Sequence, residues 1–412
     1  MNGFTSTWGP DGMLADHSLS GELVSAAHQW FAGELSLDDL RAIETTLPQR
    51  RNLAMVVNNE CNLKCAHCFL QIPQLSRNRL TPPDWQRLLD SAVREDIGQY
   101  VVVGKEVFLG KVGPQVVSVL GSIRQQRPCM RTGVVTNGTL LHHHFDRIQE
   151  SKLSHMDISM EGAEADHDAI RGPGAFASVR ENVKWAARAL GERLFVTLTL
   201  QNRNLERLDE ALLAFAGLGV KSVGISPYEP LPYTDASLAL SDENLRSFFQ
   251  NLEDLERLSL PHEMFIQVDA CVVAPRVLAA FMESHWFDLD AMQMDGTGFL
   301  YLSHRFANGL TLSFRFLPWP LTLDFSTRIS ADGEIVAVAD GYQARTYNIN
   351  SLANVRDFDF DFGAAFRAAS VHPRLALLDR KFETEQAPAI RSAYRNWCGR
   401  KRRAQMPALI TR

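Results

Sequence analysis

Three cysteines in the segment NECNLKCAHCFL, Cys61, Cys65 and Cys68, lie within eight residues of one another. The thiolate is a soft ligand, and three on one short loop suit an iron–sulfur cluster or a zinc ion. A closed zinc site needs a fourth ligand. His67 is close, but it sits between two of the cysteines, where a tetrahedron would be strained, so the spacing favours iron–sulfur. A cubane [4Fe-4S] cluster held by three cysteines leaves one iron without a protein ligand. That iron is open to a substrate or a cofactor.

The elements around this loop must place it at a strand end. Over residues 52–230 the pattern alternates between β-rich runs, LAMVVN (53–58), YVVVG (100–104), TGVVTN (132–137), HMDISM (155–160), LFVTLTL (194–200) and SVGISP (222–227), and amphipathic helix-like stretches. Six β-then-α units predict an α/β fold, a partial (β/α)6 TIM-like barrel with a parallel sheet. Such sheets gather their sites at the carboxyl ends of the strands, where the cysteines follow the first strand. Residues 1–51 read as a helical N-terminal extension. Residues 231–412 read as a small α+β C-terminal region: helical patterns over 242–258 and about 271–285, hairpins over 297–348 with Asp332-Gly333 as a turn, and a helical end over the last forty residues. The basic run Arg400 to Arg403 reads as a solvated tail.

The 412 residues suit two or three domains, and their 45% hydrophobic and 22% charged content is that of a globular protein. A net charge of -6 gives no electrostatic reason for a nucleic-acid partner. Neither a signal-like start nor an apolar run long enough to span a bilayer is present, so a cytoplasmic protein without a membrane partner is expected.

The cysteine segment resembles the signature of the radical S-adenosylmethionine (radical SAM) superfamily, and further segments follow it in order. Gly104-Lys105-Glu106 is similar to the family's Gly-Gly-Glu motif, with Lys105 in place of the second glycine. Thr136-Asn137-Gly138-Thr139 looks like its TNG turn, and Ser159-Met160-Glu161-Gly162 is similar to its S-x-D-G segment. Arg171 stands where sulfatase-maturase-like members carry an arginine for the cofactor's carboxylate, and Phe69 stands at the aromatic position against adenine. The resemblance implies a [4Fe-4S] cluster on Cys61, Cys65 and Cys68, and S-adenosylmethionine contacted by Phe69, Gly104, Lys105, Glu106, Asn137, Ser159 and Arg171. It implies reductive cleavage to a 5′-deoxyadenosyl radical that abstracts a substrate hydrogen, with an electron donor such as flavodoxin or ferredoxin. Singly, each residue has an ordinary structural explanation: a turn glycine, a cap, a core aromatic, or an ion pair of Arg171 with Asp166 or Asp168.

The C-terminal part, with RISADGEIVAVADGYQARTYNINSLANVRDF, resembles the SPASM domain of peptide-modifying and sulfatase-maturase-like members. Only Cys271 and Cys398 follow the barrel, too few for an auxiliary cluster, which implies a degenerate, cluster-free version and a redox-neutral outcome. Epimerisation would need a hydrogen donor, for which Cys271 and Cys398 are the candidates and Cys129 a weaker one. Tyr228, Glu229, His304, Arg305, Arg315 and Asp324 are candidate substrate contacts, and His142, His143 and His144 form a run that could hold a metal. The expected substrate is a peptide or peptide-like natural product. The alternatives are a small metabolite such as an amino sugar or amino acid, and a catalytically silent iron–sulfur scaffold.

Overall fold

The computed structural model describes residues 17–46, 51–68, 79–95, 97–230, 234–271, 274–294, 299–317, 326–336 and 351–405. All six expected strands are present: β1 (Arg51–Val56), β2 (Ile97–Val103), β3 (Arg131–Thr136), β4 (His155–Ser159), β5 (Leu194–Leu200) and β6 (Ser222–Pro227). They pair in parallel, each with the next. Between them run α3 (Pro82–Ala92), α4 (Val112–Gln126), α5 (Phe145–Ser151), α6 (Glu164–Arg171), α7 (Ala175–Leu190) and α8 (Leu208–Gly217). The fold is a partial TIM-like α/β barrel.

Local chemistry sets these boundaries. Helix α3 starts on a reciprocal cap, in which Thr81 Oγ1 accepts from the Asp84 N–H and the Asp84 carboxylate accepts from the Thr81 N–H, with Pro82 at the first helical position. The strands alternate strictly. Leu53 and Met55 of β1, Tyr100 and Val102 of β2, and Val134 of β3 pack into the main core beneath the helices. The alternate residues Ala54, Val56, Val101 and Val103, with Val135 against them, form a separate apolar cluster on the opposite face, the inside of the barrel.

A seventh parallel strand, β7 (Met264–Cys271), follows β6 in the sheet. It was not expected from the sequence, because MFIQVDAC lies between two helical patterns, α9 (Asp242–Gln250) and α10 (Pro275–Glu283). Nor do the C-terminal hairpins stand apart. Strand β10 (Leu310–Leu317) pairs in parallel with β7, and β9 (Leu300–Arg305) and β8 (Gln293–Met294) extend that edge antiparallel. Strand β11 (Ser326–Ile329) pairs in parallel with β1, and β12 (Glu334–Val336) and β13 (Ser351–Asn354) extend the other edge. The C-terminal residues therefore build onto both edges of the one sheet rather than around a sheet of their own, and they cover edges that would otherwise be open to aggregation.

The N-terminal helices α1 (His17–Ala32) and α2 (Leu37–Thr46) form as expected, as do α12 (Pro373–Glu385) and α13 (Ala387–Gln405), and a further helix, α11 (Phe362–Ser370), precedes α12. Helix α13 packs on α10, α1 and α12. The start of the basic run is docked rather than solvated: Arg400 donates to the Met282 carbonyl at 2.6 Å and Lys401 reaches Asp288 at 2.8 Å and Asp290.

Candidate active site

Asn58, buried just past the end of β1, fixes where the cysteine loop leaves the sheet. Its amide donates to the Glu106 carbonyl at 2.6 Å and the Leu109 carbonyl at 3.3 Å, tying β1 to the loop after β2. A Cβ on Gly104 would stand 2.8 Å from Asn58 Oδ1, so that position admits only glycine without a shift. The Glu106 N–H donates to the Glu60 carbonyl, and the Ala66 N–H donates to the Ile170 carbonyl of α6, both within 3.0 Å. The loop is thus stapled to β2 on one side and to α6 on the other.

Cys61, Cys65 and Cys68 are all half-buried on this loop. Cys61 Sγ accepts from the Leu63 N–H at 3.3 Å and from the Asn137 side-chain amide at 3.6 Å. Asn137 also donates to Asn62 Oδ1 at 2.9 Å, and Asn62 donates to Thr139 Oγ1 at 2.8 Å, so the TNG turn after β3 grips the cysteine loop through side chains. Burial pushes the Cys61 thiol up and the Cys65 thiol up to about 11, so their deprotonation has to be coupled to binding a cation. Among the described residues no three His, Cys, Asp or Glu side chains close around a single metal-ion position.

Two buried carboxylates flank the loop. Glu106 Oε1 accepts from the Thr136 hydroxyl at 2.6 Å and the Phe108 N–H at 3.0 Å, and Oε2 accepts from the Asn137 N–H at 2.8 Å. Burial nevertheless pushes its carboxyl up, with those hydrogen bonds opposing. Glu161 Oε1 accepts from Arg171 Nε at 2.9 Å and Nη2 at 2.5 Å, and Oε2 accepts from the Thr199 N–H at 2.9 Å. Here burial is the largest single influence and opposes ionisation, but the Arg171 charge together with the hydrogen bonds from Arg171 and the Thr199 N–H holds the carboxyl below the usual range. His67 Nε2 stands 3.4 Å from Glu161 Oε1, and burial pushes this imidazole down to about 4, so the contact is to a neutral ring. The guanidinium of Arg171 lies near enough to Cys65 to favour its thiolate.

The strand ends therefore bring together Gly104, Lys105, Glu106, Asn137, Ser159 and Arg171 beside the three cysteines. Lys105 and Ser159 are half-buried there. The partner of Arg171 is Glu161, not Asp166 or Asp168; Asp166 pairs instead with Arg207. Phe69 and Asp324 lie outside the described residues, as does the side chain of Cys271, whose backbone ends β7. Cys398 lies on α13 beside Tyr394, in the helical layer outside the sheet, and the structure does not bring it to the strand ends. Cys129 is exposed. Tyr228 is buried and donates to Thr234 Oγ1 at 2.7 Å, Glu229 is half-buried beside it, and Arg305, at the end of β9, forms an exposed pair with Glu263. His304 packs its edge against Trp286 and Phe306. Of the histidine run, His144 stacks on Phe108 and the other two rings lie against each other.

Sequence reasoning missed Gln201, which directly follows β5. Its side chain is fully buried, and neither Oε1 nor Nε2 has a hydrogen-bond partner among the described residues. Leaving an amide so is costly, about 1–3 kcal/mol per group, and a polar ligand at the strand ends would satisfy it. The available signal was a polar side chain immediately after an apolar strand, at its carboxyl end. Three thiols on one loop, two donors already aimed at Cys61 Sγ, a guanidinium beside Cys65 and an unsatisfied amide together fit a thiolate-held cluster with a polar cofactor beside it.

Residues 55–215 match the family described as the radical SAM superfamily, a span that includes every one of those groups. The chain carries a radical SAM domain. Domains of this superfamily bind S-adenosylmethionine and a [4Fe-4S] cluster, and the comparisons with enzymes agree. Over 232 residues, 52% of this chain and 55% of the relative, it is 25% identical to the Fe-coproporphyrin III synthase of Methanosarcina barkeri. The chain thus spans about half the length of that relative. Among solved structures it is similar to Streptococcus suis SuiB bound to S-adenosylmethionine, with TM-score 0.52 and 15% identity over 73% of this chain and 64% of that one. It is also similar to anSMEcpe with bound AdoMet and the Cp18Cys peptide, with TM-score 0.52 and 14% identity over 81% and 82%. These two likenesses establish that the radical SAM domain and the strands around it share one fold with both. Among the described residues no helix is long and apolar enough to cross a membrane.

Proposed function

We propose that this chain is a radical SAM enzyme that abstracts a hydrogen atom from a peptide or peptide-like substrate, with a redox-neutral outcome. The observation that carries the reading is the three-cysteine loop gripped by Asn137 and Thr139 and set beside Arg171. Cys61, Cys65 and Cys68 hold the cluster, leaving one iron for the cofactor. When bound, the cluster and S-adenosylmethionine supply one-electron reductive chemistry and the hydrogen-abstracting power.

The chain's own residues position and screen. Asn137 and the Leu63 N–H orient Cys61 Sγ and spread its charge. Gly104, Lys105, Ser159, Arg171 and Gln201 would hold the polar side of the cofactor, and the family resemblance assigns Phe69 to its adenine. Glu106 locks the loops after β2 and β3, and its three donors leave one acceptor position for the cofactor's ammonium group. The peptide preference is supported by the overall likeness to anSMEcpe, solved with a peptide bound. The scarcity of cysteines after the barrel supports the redox-neutral outcome, because no auxiliary cluster is at hand to take a second electron.

A second reading keeps the chemistry and replaces the peptide with a small metabolite; the identity to a tetrapyrrole-forming enzyme favours it. Deuterated candidates of both kinds separate the two. Anaerobically reconstituted protein with dithionite and S-adenosylmethionine should form 5′-deoxyadenosine, and deuterium should enter it only from the true substrate class. Absence of 5′-deoxyadenosine under every condition would leave the iron–sulfur scaffold as the surviving account.

A further inference from the structure

The inside of the barrel has two unlike walls. Towards the carboxyl ends of β1, β2 and β3 the inward residues are Ala54, Val56, Val101, Val103 and Val135, with the polar Asn52 and Gln99 on the same face nearer the base. On β4 to β7 and β10 the outward residues are apolar core, while the inward ones include Ser159, Thr197, Ser226, Gln267, Asp269 and Arg315. Cross-strand register sets Ser159 opposite Thr197 and Asp269 opposite Arg315. A polar lining on five strands of a barrel core costs desolvation and adds nothing to packing, so it calls for a polar occupant.

Asp269 is the charged member of this wall that faces open space. Its neighbours along β7, Val268 and Ala270, are fully buried against the helices, yet Asp269 itself is half-buried, so its accessible surface lies on the inner side. Ser159, Thr197 and Val135 share this condition on β4, β5 and β3, and together they mark the same interior space. Asp269 Oδ2 accepts from the Ser226 hydroxyl at 3.2 Å and Oδ1 accepts from Gln267 Nε2 at 3.0 Å. Both donors are neutral and fill two of about four acceptor positions of a carboxylate. On the neighbouring strand the buried Arg315 guanidinium lies 3.5 Å above the centre of the Phe299 ring, which holds it in place by a cation–π contact. Burial acts to protonate Asp269, and the Arg315 charge opposes it.

We propose that Asp269 is the substrate-contacting carboxylate of the barrel interior, taking a protonated amino group of the substrate, with Arg315 as its positioning residue and the valine wall receiving an apolar portion. The substrate class is therefore an amine-bearing molecule, such as a peptide residue with an ammonium group, lying between the cysteine loop and β7. This rests on the radical SAM reading for its purpose but not for its test.

The test uses the reconstituted, oxidised holoenzyme and two fluorescent probes, dansylcadaverine, which ends in an ammonium group, and its neutral N-acetyl form. A charge-assisted hydrogen bond predicts about tenfold tighter binding of the cation to the native protein. Asp269→Asn should abolish that preference and Asp269→Glu should retain it. Thermal unfolding of each variant reports folding. Equal binding of the two probes, binding of neither, or an Asp269→Asn variant that is less stable but still prefers the cation would overturn the proposal. 5′-Deoxyadenosine formed without substrate, measured on the same preparations, reports the radical SAM reading separately: its absence from the native protein counts against that reading alone.

Discussion

Arg171 directs both Nε and Nη2 at a single oxygen of Glu161, ten residues earlier in the chain, while the other oxygen takes the Thr199 N–H. This buried pair joins the ends of β4, α6 and β5 and stands next to the cysteine loop through His67. Its charges are taken from water at a cost that their geometry and extra hydrogen bond offset.

Removing one partner leaves the other buried and uncompensated. Glu161→Ala is expected to destabilise the fold by about 3–5 kcal/mol, and Glu161→Gln by less, since its amide oxygen still accepts from Arg171. Urea unfolding of the cluster-free chain gives the values; a change below 1 kcal/mol for Glu161→Ala, well under that range, would show that the pair contributes little.

Asn137 donates to Cys61 Sγ, and hydrogen bonds to cluster-ligating sulfur stabilise the reduced, more negative state. Asn137→Ala should therefore lower the midpoint potential of the cluster. A net hydrogen bond of about 1 kcal/mol corresponds to roughly 40 mV for one electron. Redox titration in the native and variant proteins measures it, and an unchanged potential would remove Asn137 from this role.

At the base of the barrel, a Cβ on Gly133 would fall 2.0 Å from His155 Nε2 on the next strand. Gly133→Ala is thus expected to cost about 1–3 kcal/mol or more through overpacking. His155→Ala in the same chain should recover part of that loss. A double-mutant cycle on unfolding free energies would show the two effects simply adding if the ring were not the obstacle.

His155 also sets a pH dependence. Burial pushes its imidazole down to about 3, and that of His167 down to about 4, against an unfolded value near 6.5. Between these values the unfolded chain binds protons that the native chain does not, so the contribution is fully present above pH 6.5 and is lost as the pH falls through 4 towards 3. Stability of the cluster-free protein should decline over that interval, and His155→Gln should flatten the decline. A variant with the native pH profile would contradict this assignment.

The strands β1 to β6 were legible because each carries a short apolar or alternating run bounded by turn residues, and the cysteine loop because three thiols at that spacing have few structural uses. Strand β7 was not, since its alternation of Ile266, Val268 and Ala270 with Gln267 and Asp269 is brief and sits between helices. The joining of β10 and β11 to opposite edges of one sheet depends on pairings across more than two hundred residues for β11, which no local pattern encodes. For the site, motif order pointed to Asn137 and Arg171, which the fold places beside the cysteine loop, but the Glu161 partner and the unsatisfied amide of Gln201 arise from packing. Cys398 illustrates the converse: its chemistry suited a hydrogen donor, while its helix sits in the outer layer.

Electron paramagnetic resonance reads whether one iron is open beside the cofactor site. Reconstituted without oxygen and reduced with dithionite, the native protein should give a [4Fe-4S]+ signal that changes on addition of S-adenosylmethionine, and Cys65→Ala should lack it. A native protein with no such signal, or with one indifferent to S-adenosylmethionine, would contradict the account.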